Sequence, residues 1–190
     1  MQLSEIADIV RCQLGRSRKP AKGLACREIV LSGVNPVNGF VGGQVGETVW
    51  MDLDPATKQS KYLIRAGDIL ISFRGTGATL GRVGLVLDET DEPGVAGMSL
   101  AVVRPRVNGI WLYYWLSQAR IREYFLSMAS GSQLIALNLS TVRALILPTP
   151  TAEEIEKVHA RHAEIVRLDA EMRTARAALD ETLAGMVGLD

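Results

Sequence analysis

Two glycine-bounded basic segments are the parts of this chain best equipped for chemistry. Gly15-Arg16-Ser17-Arg18-Lys19-Pro20-Ala21-Lys22-Gly23 sets four cations, Arg16, Arg18, Lys19 and Lys22, between two glycines. Arg74-Gly75-Thr76-Gly77-Ala78-Thr79-Leu80-Gly81-Arg82 puts an arginine at each end of a glycine loop, with Thr76 inside it. Open backbone N–H groups beside close-set cations suit phosphate oxygens, and the arginine fork also suits a guanine edge. Each segment reads equally well as a solvated basic loop, which needs no partner.

Other chemistries lack their parts. The glycines of the second segment have the spacing GxGxxxG and lead into Val83-Gly84-Leu85-Val86-Leu87, a strand pattern, whereas a dinucleotide loop must open a helix. A flipped adenine is held by an Asn/Asp-Pro-Pro-aromatic loop, and the related Asn35-Pro36-Val37 and Asp54-Pro55-Ala56 do not supply one. No lysine has an acid two residues before it, as a metal-dependent nuclease core requires. His159 and His162 have no third carboxylate ligand on their helix face, and no serine lies in a nucleophile elbow. No cofactor, metal or catalytic residue is therefore assigned. Cys12 and Cys26 read as reduced packing thiols.

The chain has 190 residues, 47% of them hydrophobic, enough for one good core. Its formal net charge of zero conceals a split: residues 1–150 carry 16 Lys and Arg against 12 Asp and Glu, and residues 151–190 carry 5 against 9. A basic globule with an acidic arm permits a phosphate-facing surface. No run is long and apolar enough for a membrane span and no leader pattern follows Met1, so the expected location is the cytoplasm.

The elements that must position these loops are mostly strands. From Cys26 to Trp50 short apolar runs alternate with glycine, proline and asparagine turns. Thr57-Lys58-Gln59-Ser60-Lys61 is a polar turn whose lysines join the cationic set. Asp68 to Phe73 and Val83 to Leu87 predict a hairpin around the second basic loop, and Gly97 to Val103 a further strand. The acidic Asp88–Gly94 turn should face away from any polyanion. Trp111 to Met128 predicts one core helix, capped by Gly131; Ser132, Gln133 and Asn138 then lie on a loop and strand with hydrogen-bonding groups for base edges.

A different element closes the chain. Leu145-Ile146-Leu147 is a strand run, Pro148 and Pro150 end it, and Thr151-Ala152-Glu153-Glu154 is a capping box. With no later proline, a helix can run about 34 residues, roughly 50 Å. In heptads from Ile155, the d positions are Val158, Ile165, Met172, Leu179 and Met186; the a positions are Ile155, His162, Asp169, Arg176 and Leu183. Such a line either lies on its own domain or seeks a partner helix; its length favours the second, with Ile155, Val158, Ile165, Asp169, Met172, Arg176, Leu179 and Leu183 at a dimer seam.

Four motifs in order, Gly131-Ser132-Gln133, Asn138-Leu139-Ser140, the strand with its proline pair, and Glu153-Glu154-Ile155, resemble the specificity subunits of type I restriction-modification systems. Leu63 to Ser72 and Gly81 to Val86 resemble that family's central hairpin. The chain departs from the family in having Glu153-Glu154 where Glu-Gln is usual. It also holds one recognition domain and one helix where members usually hold two of each, so it resembles half a subunit.

The resemblance implies a mixed α/β fold: a β-rich target-recognition domain with a curved, mostly antiparallel sheet over 1–150, and a long coiled-coil spacer helix over 151–190. It implies a non-catalytic DNA-binding protein that directs an adenine-N6 methyltransferase subunit, and in some systems a restriction and translocation subunit, to its target. Duplex DNA would meet Arg16, Arg18, Lys19, Lys22, Lys58, Lys61, Arg74, Thr76, Arg82, Ser132, Gln133 and Asn138, and a second copy would pair through the helix. The alternative is a protein-interaction adaptor whose helix docks a partner and whose globule never touches DNA.

Overall fold

A computed structural model describes residues 1–11, 22–30, 34, 39–41, 48–52, 54, 58–87 and 93–187. It divides into two compact units, Met1–Pro150 and Thr151–Asp190.

The first unit is built on β4 (Ile69–Ser72), in which every residue is buried. A strand covered on both faces reads as a continuous apolar run, which is how Ile69-Leu70-Ile71 reads. It lies between β6 (Val83–Leu85) and β8 (Leu100–Pro105), and β8 pairs onward with β1 (Ala7–Arg11), all antiparallel. The expected hairpin is present, in the register Ile69↔Leu85 and Ile71↔Val83.

A second sheet sets β2 (Gly23–Ile29) between β3 (Thr48–Asp52) and β7 (Gly94–Ala96). Its Ile29 and Ala96 form one apolar cluster with Leu70, Leu100 and Val102 of the first sheet, which joins the two. The β2–β7 pair is parallel, as is the isolated bridge between Phe40 and Leu85; the pairs of the first sheet and the β2–β3 pair are antiparallel. Cys26 is buried in a smaller cluster with Met51 and Val95, its thiol 3.7 Å from the Leu24 carbonyl oxygen; Cys12 lies outside the described residues.

Several expectations need correction. The strand placed at Gly97–Val103 begins only at Leu100, as β8, because Gly97 donates its N–H to the Ile29 carbonyl at 2.8 Å and residues 97–99 turn the chain after the separate strand β7. The single helix over Trp111–Met128 is two, α2 (Gly109–Leu116) and α3 (Ala119–Met128). The Ser117 hydroxyl, at the C-cap of α2, donates to the Tyr113 carbonyl at 2.7 Å and Gln118 is extended, so a local side-chain-to-backbone bond at the break overrides the apolar pattern. Gly131 does not cap α3, which ends at Met128 with Ala129 in the cap position. The polar turn at Thr57–Lys61 contains a short 3-10 helix, Gln59–Tyr62, preceded by Lys58 at φ 52°.

Leu145-Ile146-Leu147 does pair as extended chain, and its partner is the start of the chain. Leu3 N–H donates to the Leu145 carbonyl and Leu147 N–H to the Met1 carbonyl, at 2.9 and 2.8 Å. Short α1 (Leu3–Ile6) then leads into β1.

The second unit is one helix, Ala152–Val187, of 36 residues. The capping box forms as the sequence predicts: Glu154 N–H donates to Thr151 Oγ1 at 3.2 Å, and Thr151 N–H to Glu154 Oε2 at 2.8 Å. Glu153 and Glu154 complement the positive end of its dipole.

Candidate functional site

The second basic loop is bound to the Gly131–Asn138 segment by a ladder too short for a sequence pattern to reveal. β5 (Arg74–Gly75) pairs antiparallel with β9 (Ile135–Ala136), in the register Arg74↔Ala136 and Gly75↔Ile135. Ser130 and Ala136 exchange both backbone hydrogen bonds, at 3.1 and 2.9 Å, and Leu137 N–H donates to the Phe73 carbonyl at 2.8 Å. Arg74 and Thr76 are thus brought beside the exposed loop that carries Ser132 and Gln133, about 60 residues away in sequence.

Both loops are fixed. Thr76 N–H donates to Thr79 Oγ1 at 2.9 Å, and Leu80 N–H to the Thr76 carbonyl. Arg122 of α3 then spends its guanidinium on this turn, donating to the carbonyls of Gly77, Ala78 and Leu80 at 2.7, 2.9 and 3.1 Å. The other loop turns at Gly131, whose φ of +123° favours glycine and where a Cβ would stand 2.5 Å from the Leu134 carbonyl oxygen. Gly131→Ala should therefore cost about 1–3 kcal/mol of stability in urea denaturation. Gly77→Ala, where a Cβ meets nothing within 4 Å, should stay within about 0.5 kcal/mol.

Arg74 lies half-buried with its guanidinium carbon 5.6 Å from the centre of the Phe73 ring. Arg82, also half-buried, directly precedes β6, and its carbonyl accepts from Ser72 N–H at 2.9 Å. Asn138 serves a different end from the one expected: it is the N-cap of α4 (Leu139–Arg143), and its Oδ1 accepts from Ser140 N–H at 3.0 Å. It does not sit on a strand.

The remaining predicted cations form a separate group at the end of the second sheet. Lys22, just before β2, lies 3.8 Å from Asp54; Lys58 is the N-cap of the 3-10 turn and Lys61 lies within it, and its Gln59 Oε1 accepts from Asp52 N–H. Lys61 Nζ is 5.0 Å from the Tyr62 ring centre. Arg16, Arg18 and Lys19 lie outside the described residues, as do residues 88–92 of the acidic turn.

Several arginines that raise the globule's charge are structural. Arg104 makes a two-pronged pair with buried Asp68 and also reaches the Leu63 carbonyl; hydrogen bonding to Asp68 raises its pKa. Arg106 pairs with Asp8 and the Ser4 carbonyl, and Arg143 reaches the Ile9 carbonyl. Sequence reading passed over Arg11 and Arg122. Arg122 gave no signal, being one polar residue on a helix; Arg11 ends an apolar strand just before the first basic loop, where its position was a usable hint.

Along the helix, charged residues pair with their own neighbours: Lys157 with Glu153, Arg167 with Glu164 and Glu171, Arg173 with Asp169, Arg176 with Asp180. Met172, Leu179, Leu183 and Met186 are exposed, between 50% and 67%. Burial, and then the neighbouring His159, lower the His162 imidazole below its ordinary range. Among the described residues no group of His, Cys, Asp or Glu could hold a metal ion, and no helix is long and apolar enough to cross a membrane.

No protein-family model matches the chain, and no curated protein sequence matches it significantly. Solved structures do. The chain is similar to an S subunit of a type I restriction-modification system from M. genitalium, at a TM-score of 0.58 and 14% identity over 93% of this chain and 40% of that one. It is also similar to the HsdS subunit from Thermoanaerobacter tengcongensis, at 0.53 and 18% over 92% and 38%. A third likeness, at 0.52 and 21% over 97% and 42%, is to a chain from work on complex assembly and conformational transition of the type I restriction-modification system. The chain thus spans about two fifths of the length of the structures it matches, and within that span it has the fold of the type I restriction-modification specificity subunits.

Proposed function

We propose that this chain is a half-length DNA specificity subunit. In this reading Met1–Pro150 is the target-recognition domain, Thr151–Asp190 pairs with the same helix of a second copy, and the dimer directs an adenine-N6 methyltransferase subunit to its target. A restriction subunit joins where the system has one. The role is non-catalytic and, with its DNA, cytoplasmic.

The observation that carries the reading is the β5–β9 ladder, which gathers Arg74, Thr76, Ser132 and Gln133 from two distant segments onto one rigid, exposed edge. Arginine and small hydroxyl or amide side chains on backbone that cannot move are what groove or phosphate contact needs. The fold supports it independently. Lys22, Lys58 and Lys61 form the second cationic group and Arg82 adjoins the first; Arg16, Arg18 and Lys19 of the first basic segment complete the proposed set of DNA-contacting cations. Asn138 contributes by capping α4 beneath the loop, not by reading a base.

The test is duplex binding by the purified chain over a salt series. Affinity should fall steeply with salt, and Arg74→Ala should weaken it by about 1–3 kcal/mol. If the Arg74→Ala, Arg82→Ala double variant binds as the parent does at low salt, this edge is not the DNA interface. If the parent shows no salt-sensitive binding, the adaptor reading replaces the DNA one.

A further inference from the structure

The geometry points to a two-guanidinium clamp, Arg11 and Arg74 stacked on the ring of Phe73, that grips a phosphodiester of bound nucleic acid. It rests on the DNA-binding reading and sharpens it: Arg74 holds backbone, not a base edge, and Arg11 becomes part of the interface.

Phe73 is 2% exposed, and its backbone is tied on two sides, its N–H to the Ser99 carbonyl and its carbonyl to Leu137 N–H. Arg11 is the last residue of β1, in register with Ala101 of β8; Arg74 is the first of β5. Their guanidinium carbons stand 5.1 and 5.6 Å from the same ring centre. A ring face attracts a cation but leaves its N–H donors unspent, because the attraction is to the π cloud and the donors point along the guanidinium plane.

Two like charges held against one ring repel each other, and an anion bound to them offsets that repulsion. Arg11 is half-buried: its Nε is shut off from solvent with no hydrogen-bond partner, so among the described residues the fold commits none of its donors, and the outer Nη end is the part that an incoming phosphate meets. Buried donors are nearly always satisfied, and a charged one left unsatisfied is expensive. Arg104, Arg106, Arg122 and Arg143, by contrast, all have acceptors in the fold. A phosphate oxygen is the acceptor that fits both arginines, since phosphate takes the guanidinium fork in a two-pronged manner.

The experiment measures binding of the full chain to labelled duplexes of several sequences across a chloride series. Arg11→Gln and Arg74→Gln should each weaken binding about tenfold for every sequence alike, and each should reduce the slope of log affinity against log salt by about 0.9. Arg11→Lys should keep the slope and lose part of the affinity, because charge remains and the fork does not. Arg106→Gln, at a residue already paired with Asp8, should leave the slope as it was. If both glutamine variants keep parental slope and affinity, the clamp is wrong while DNA binding stands. If the loss is confined to one sequence, Arg74 reads a base and the clamp is again wrong. Competition by inorganic phosphate beyond chloride at equal ionic strength would reassign the clamp to free phosphate. No salt-sensitive binding by the parent overturns both the clamp and the reading beneath it.

Discussion

Replacing Arg104 with methionine should cost the globule about 3–5 kcal/mol, the loss expected when one partner leaves a buried ion pair. Asp68 is 1% exposed and accepts from Arg104 Nε and Nη2 at 2.8 and 2.7 Å, and from Arg65 N–H at 2.9 Å. Its own carbonyl accepts from Val86 N–H, so the carboxylate stands where β4 enters the core. Methionine fills much of arginine's volume but returns neither charge nor donors, which leaves the buried Asp68 carboxyl short of partners. Arg106→Met supplies the comparison, because Arg106 and Asp8 form an exposed pair of the kind that contributes about 0–1 kcal/mol. Urea denaturation of the two variants should separate them by several-fold in free energy. Equal losses would mean that the Asp68 pair is no more than a surface contact.

The full chain should sediment as a dimer at tens of micromolar, and a fragment ending at Pro150 as a monomer. Exposed Met172, Leu179, Leu183 and Met186 lie at d and a positions of one heptad frame. Burying each against a partner helix would be worth about 1.5–3 kcal/mol at full coverage. An antiparallel pair centred on Met172 would bring Asp169 of one copy near Arg176 of the other. Each already has a partner in its own helix, Arg173 and Asp180, so the cross pair forms by exchange and would set direction more than strength. Leu179→Glu in the full chain should dissociate the pair without touching the globule. If full chain and fragment both run as monomers, the helix awaits a different partner.

Residue order alone determined the elements whose signals are local. The capping box at Thr151 and Glu154 needs four consecutive residues and forms as read; the proline pair fixes where the globule ends, and a run without proline, rich in alanine, glutamate, arginine and leucine, carries the helix to Val187. The Ile69-Leu70-Ile71 run and its return at Val83 define the hairpin, because a doubly buried strand has an apolar sequence wherever it folds. Signals that depend on competition between neighbours were harder to read. Ser117 and Gln118 break a helix that the apolar pattern continues, and Asn138 caps α4 although its surroundings suggested a strand.

Tertiary structure alone decided which cations share a surface. The segments of Arg74 and Gln133 are joined by a ladder of two residues per strand, below the length at which alternation is visible, and Arg11 meets Phe73 only because β1 lies beside β8. The same arginine type ends in a buried ion pair at 104, braces a turn at 122 and stacks on a ring at 11. Nothing in the residue itself distinguishes these fates. The acceptor within reach does, and that is set by which distant strand the fold places alongside.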